Sequence, residues 1–161
     1  MLVLGFDPGT ALTGYGLVSK DGSRLTPVNY GVIRTSAKTD FAARLVQIYQ
    51  EAGEIIARFQ PQTVVVEEVF FNNNAKTFST VSQARGALIL AAALSGIEVA
   101  EYTPLQVKQA VVGYGQAEKQ QVQKMVKSIL KMDDIVRPDD AADALAIAIC
   151  HIHSCRGDRF R

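Results

Sequence analysis

Four acids stand where a folded chain seldom tolerates them. Asp7 closes the apolar run LVLGF, Glu67 closes TVVV, and Asp140 and Asp143 interrupt RPDDAADALAIAI at residues 137–149. In that last stretch Ala142, Leu145 and Ile149 recur at helical spacing, and Ala144 and Ile147 extend a second stripe. Asp140 and Asp143 are three apart, so they share a face that Ile147 continues one turn on. Asp139 is explained by the preference of helix N-termini for acids. Asp143 is not, and a carboxylate on a buried face needs compensation.

Asp7 and Glu67 each fall at the C-terminal end of a predicted strand, the edge at which open α/β sheets bind ligands. If those strands are neighbours and the last helix packs over them, Asp7, Glu67, Asp140 and Asp143 converge. Such a cluster repels itself and loses hydration unless a cation occupies it. Ligands that are all oxygen suit Mg²⁺ or Mn²⁺ rather than zinc. Two such ions can hold the attacking water and the leaving oxygen of a phosphodiester in line.

The elements that must position these acids are legible in order. Strands are predicted at 2–6, 14–20 and 28–35, with DGS (21–23) as a turn between the second and third. Asp40 caps a helix whose Phe41, Leu45, Ile48, Ala52, Ile55 and Phe59 keep helical spacing, and Gln60-Pro61 stops it. TVVVEE (63–68) reads as a strand buried on both faces. A helix at 76–95 is rich in small residues, and IEVAEY (97–102) is a further strand. Thr103-Pro104 opens a short helix that GYG (113–115) breaks, another spans 117–131, and the last runs from Pro138, at its first helical position, to about residue 155. With no internal repeat and no linker, residues 1–161 read as one α/β domain: three strands in a meander, then alternating helix and strand.

Composition sets limits on function. The chain has 161 residues, 48% of them hydrophobic, enough for a substantial core. No apolar run reaches the roughly 18 residues of a membrane span. The start MLVLGFDPG lacks the basic head and apolar centre of a signal peptide, and two cysteines give no disulfide framework, so a cytoplasmic protein is expected. Net charge is only +1, but from Thr103 to Lys131 five lysines oppose Glu118 alone. The tail CRGDRFR adds Arg156, Arg159 and Arg161. A basic patch on a near-neutral protein can hold a polyanion. In helix 117–131, Val122, Met125, Val126 and Ile129 define the buried side, Lys124, Lys127 and Lys131 take the other, and Lys119 falls with the buried group at the helix start.

FDPGTALTGYG, VVVEEVFF, LQVKQAVVGYGQAEKQQVQKMV and DDAADALAIAI, in this order and end to end, resemble the RuvC family of bacterial Holliday junction resolvases. The resemblance implies an RNase H-like fold, a central mixed five-stranded sheet flanked by helices. It implies a Mg²⁺-dependent crossover junction endodeoxyribonuclease that acts as a homodimer beside the branch-migration proteins RuvA and RuvB, in recombination and repair. By motif, Asp7, Glu67, Asp140 and Asp143 correspond to the family's acidic quartet, with two ions expected per site once DNA is bound. Lys108 and Lys119 correspond to required lysines, and Phe70 to an aromatic that opens the junction; Lys124 and Lys127 join them as DNA-binding candidates. Glu68 is expected to point away from the site.

Three other readings compete. DPGT with its following glycines resembles the phosphate loop of actin-like ATPases, but those need two such domains, and this chain is too short. Another RNase H-like nuclease, such as an RNA–DNA hybrid cutter, would share the metal logic. A non-catalytic junction-binding protein would not need all four acids. Cys150, His151, His153 and Cys155 have the look of zinc ligands, yet on a helix they do not share a face.

Overall fold

The computed structural model describes residues 1–71 and 73–155. The tail arginines Arg156, Arg159 and Arg161 therefore lie outside the described residues. Among the described residues five strands form one sheet: β1 (Leu2–Asp7), β2 (Leu12–Asp21), β3 (Arg24–Arg34), β4 (Thr63–Glu67) and β5 (Glu98–Tyr102), in spatial order β3-β2-β1-β4-β5. β1 pairs antiparallel with β2 and parallel with β4; β2–β3 is antiparallel and β4–β5 parallel. The sheet is thus mixed and five-stranded, as the resemblance implies. No helix of the described residues is long and apolar enough to cross a membrane.

Strand alternation divides the core in two. Leu4, Phe6, Val64 and Val66 face α1 (Phe41–Phe59) and α2 (Ala75–Leu94). Val3, Val65 and Val18 face α3 (Pro104–Val112), α4 (Lys119–Ile129) and α5 (Asp139–Ser154). The caps follow the sequence closely. The Asp40 carboxylate accepts from Ala42 N–H at 3.2 Å, Gln60 ends α1 in the left-handed conformation at φ 49°, and Thr103 and Gln106 form a reciprocal capping box on α3.

Several boundaries differ from expectation: β2 starts at Leu12 rather than residue 14, and three others have a local reason. β3 begins at Arg24 rather than residue 28, because it is an edge strand that tolerates Pro27 beside a register shift at Leu17/Val18. α4 covers 119–129 rather than 117–131: Ala117 belongs to the preceding loop, and Lys131 lies past the helix end with φ 52°. Pro138 is the N-cap of α5, not its first helical residue.

At the glycines of β1 and β2 the backbone of α5 rests directly on the sheet. A Cβ on Gly5 would stand 2.2 Å from the Ala144 carbonyl oxygen, and one on Gly14 2.0 Å from that of Asp140. Glycines on β1 and β2 therefore form a trough that admits the helix backbone itself. Every residue from Ala141 to Ile152 is buried except Asp143.

Candidate active site

The quartet is assembled by register. Asp7 follows Phe6, which pairs with Val66, and Glu67 follows Val66, so the two acids end adjacent parallel strands at one level. Their parity with Val3 and Val65 turns both toward α5. Asp7 also pairs with Gly14, above which the Asp140 backbone rests. The trough thus carries the first turns of α5, with Asp140 and Asp143, over the strand ends.

Charge shows how near these groups stand. Burial pushes the Asp7 carboxyl well above the usual carboxylate range, and Glu67, Asp143 and Asp140 push it the same way against the pull of Lys119. Burial raises Glu67 to about 7, helped by Asp143 and opposed by Lys108. Asp143 is raised too: burial outweighs its hydrogen bond with Lys119. Burial and the neighbouring acids thus push these carboxyls toward protonation.

The lysines arrive from α3 and α4. Lys108, Lys119, Glu67 and Asp143, with Val107 and Val122, line a cavity of about 260 Å³. Lys119 leads α4, where Gln121 Oε1 accepts from Glu118 N–H at 2.7 Å. Its Nζ lies 3.0 Å from Asp143 and 3.6 Å from Asp139. Burial works to lower its pKa, but Asp143, Asp139 and Asp140 raise it overall, so the ammonium stays charged. Lys124 is exposed and Lys127 half-buried on the outer side of α4, away from this cavity.

The donor set fits a hard divalent cation in its chemistry: all oxygen, partly desolvated and mutually repelling. As the side chains are placed, no three metal-binding groups among the described residues close around one point. Asp143 is engaged by Lys119 instead.

Phe70 and Phe71 follow β4, both largely exposed. Phe71 packs edge-to-face on Phe78 of α2 with centroids 5.7 Å apart, whereas Phe70 rims a groove of about 360 Å³ with Asn74, Thr77 and Phe78. Glu68 lies beyond the end of β4, its N–H bonded to the Tyr102 carbonyl at 2.9 Å.

Three features escaped the sequence reading. Asp139, assigned only to the helix dipole, pairs with Lys119 and Arg137. The glycines beside DPGT admit α5 rather than cradle a phosphate. Arg85 of α2 donates from Nε to the Glu67 carbonyl at 3.0 Å. The alternation Gly5-x-Asp7 and Gly14-x-Gly16 carried a signal for the second; nothing local marked the other two.

A mixed sheet in this strand order, with acids at the ends of its two central parallel strands and under the start of the last helix, defines an RNase H-like nuclease. The comparisons with known proteins agree. A family model described as crossover junction endodeoxyribonuclease RuvC matches residues 3–151. The crossover junction endodeoxyribonuclease RuvC of Syntrophomonas wolfei is 56% identical over 160 residues, 99% of this chain and 93% of that protein. The solved structure of Thermus thermophilus RuvC superposes with a TM-score of 0.91 at 37% identity, covering 98% of this chain and 97% of that one. The same protein in complex with a Holliday junction substrate gives 0.93 at 38% identity, covering 98% and 96%. The chain belongs to the RuvC family.

Proposed function

We propose that this protein is a structure-specific endonuclease that resolves four-way DNA junctions by paired, symmetric phosphodiester hydrolysis. The observation that carries the reading is the register that ends β1 and β4 in Asp7 and Glu67 beneath the first turns of α5, in a chain of the RuvC family. A relative solved with a Holliday junction supports the substrate.

In this reading Asp7, Glu67, Asp140 and Asp143 hold Mg²⁺, or Mn²⁺ in its place, as two ions per site when DNA is bound. Bound there, such ions would supply Lewis acidity toward the phosphate and the attacking water. The chain's own groups do the rest. Lys119, already drawn 3.0 Å from Asp143, meets the charge that develops on the phosphate, and fixed charge is worth most there. Lys108 guards the other side of the same cavity. Lys124 and Lys127 hold phosphates farther along the backbone. Phe70, rather than the anchored Phe71, stacks on an unpaired base, a contact worth about 1–3 kcal/mol.

Two opposed cuts in a two-fold junction call for a two-fold enzyme, so the active form is a homodimer. By family resemblance it works in the cytoplasm beside RuvA and RuvB. The test offers a four-way junction, a plain duplex and an RNA–DNA hybrid of matched sequence. Cleavage of the junction alone is expected. Preference for the hybrid would favour another RNase H-like nuclease, and binding without cutting a junction-binding protein.

A further inference from the structure

We infer that Arg85 is a positioning residue for Glu67, standing in for a backbone donor that Pro8 lacks. The inference rests on Glu67 being a metal-holding acid. In a parallel sheet, successive residues bond to opposite neighbours. Glu68 N–H bonds Tyr102 on β5, so the carbonyl of Glu67 faces β1. There the register runs from Phe6↔Val66 onward to Asp7 and then residue 8, whose N–H would complete the ladder. Residue 8 is proline and has no N–H. A carbonyl at the edge of a partly buried site needs another donor.

Arg85 supplies it from the other side of the sheet. Its Nε donates to the Glu67 carbonyl at 3.0 Å, and its guanidinium pairs with Glu101. Glu101 registers with Val66 on β5, so it faces α2 while Glu67 and Tyr102 face α5. The planar fork of the guanidinium thus ties α2, the end of β4 and β5 together, one peptide from the carboxylate. With the bond made, the peptide after Glu67 cannot rotate freely, and the carboxylate keeps its aim. Arg85 meets Glu67 at the backbone carbonyl and not at the carboxylate, so the role is indirect.

Arg85→Ala is expected to lower the single-turnover cleavage rate between about tenfold and a hundredfold, the scale of a small misplacement in an active site. It should also raise the Mg²⁺ concentration giving half-maximal rate, while gel-shift affinity for the junction stays unchanged. Glu101→Gln removes the ion pair but leaves the Nε–carbonyl bond, and should lose far less of both. Glu67→Gln runs beside them as the reference. Should it cut at the wild-type rate, the site reading fails and the inference with it. If Glu67→Gln is inactive but Arg85→Ala cuts normally at every Mg²⁺ concentration, the inference alone is overturned. Equal losses in Arg85→Ala and Glu101→Gln, matched by equal falls in Tm, also overturn it, because the pair would then serve only folding.

Discussion

Helix α5 begins with Asp139, Asp140 and Asp143 and ends with Cys150, His151, His153 and Cys155, so side chains able to bind metal stand at both ends. At the first end the neighbours bring more charge of the same kind, Asp7 and Glu67 from the strand ends, and every buried carboxyl is pushed toward protonation. At the other end the hydrogen bonds run to neutral groups or between members of the set. Cys150 Sγ approaches the Gln106 carbonyl at 3.7 Å, His151 Nδ1 lies 3.1 Å from the Tyr102 hydroxyl, and His153 Nδ1 donates to the Ala110 carbonyl at 2.9 Å. Cys155 Sγ sits 3.4 Å from His151 Nε2, within the same helix. Burial lowers the pKa of the His151 imidazole, against an opposing pull from Glu98. At the acidic end Lys119 and Lys108 oppose only part of the gathered charge, so the shifts there stay upward.

The sharpest way to break the contrast is to neutralise the acids. Asp7→Asn, Glu67→Gln, Asp140→Asn and Asp143→Asn are each expected to abolish cleavage and leave junction binding intact. Their Tm in EDTA should be unchanged or raised, since the folded state carries these charges at a cost. The pH dependence has a definite sign. Glu67 titrates near 7 when folded against a usual 4.5, so the stability it contributes is full below about 4.5 and lost as pH rises through about 7. Glu67→Gln should flatten that part of the Tm–pH curve. Two variants cutting at the wild-type rate would show the site misassigned.

Next in size is the trough. Gly14→Ala puts a methyl group 2.0 Å from the Asp140 carbonyl, which must move. Overpacking of this kind costs about 1–3 kcal/mol, and displaced acids should cost about a hundredfold in rate. Gly53→Ala in α1 meets no atom within 4 Å and should instead raise stability by about 0.4–1 kcal/mol. Equal melting temperatures for the two variants would contradict the close approach of α5.

Smaller again is the split between two lysines of one helix. Lys119→Ala should depress the single-turnover rate far more than affinity. Lys124→Ala should leave the rate alone and weaken binding modestly, reducing the salt dependence by about one charge. If Lys119→Ala cuts normally once bound, that lysine is only an electrostatic handle. The smallest effect belongs to the far end of α5. His153→Ala loses one hydrogen bond, about 1 kcal/mol in thermal or urea unfolding, with cleavage unchanged.

Much of this was legible from residue order. β-branched runs ending in Asp7 and Glu67, and the helical spacing that set Asp140 beside Asp143, announced both the strands and the misplaced charge. The pairing that brings them together was not readable, because a strand's neighbour is chosen by the whole sheet. Asp139 and Arg85 were missed for the same reason: each has a local explanation, a helix dipole or a solvated face, and acquires its partner only in three dimensions. Among Cys150, His151, His153 and Cys155 the structure brings His151 and Cys155 together, one turn apart, while Cys150 and His153 bond to carbonyls of α3.

The most direct measurement is digestion of a synthetic mobile four-way junction by the wild-type protein in Mg²⁺, in EDTA, and after Mg²⁺ is restored, read strand by strand on a denaturing gel. Paired nicks at symmetric positions in opposing strands, lost in EDTA and regained with Mg²⁺, are the expected result. Full cutting in EDTA would contradict the claim that the four carboxylates act by holding metal.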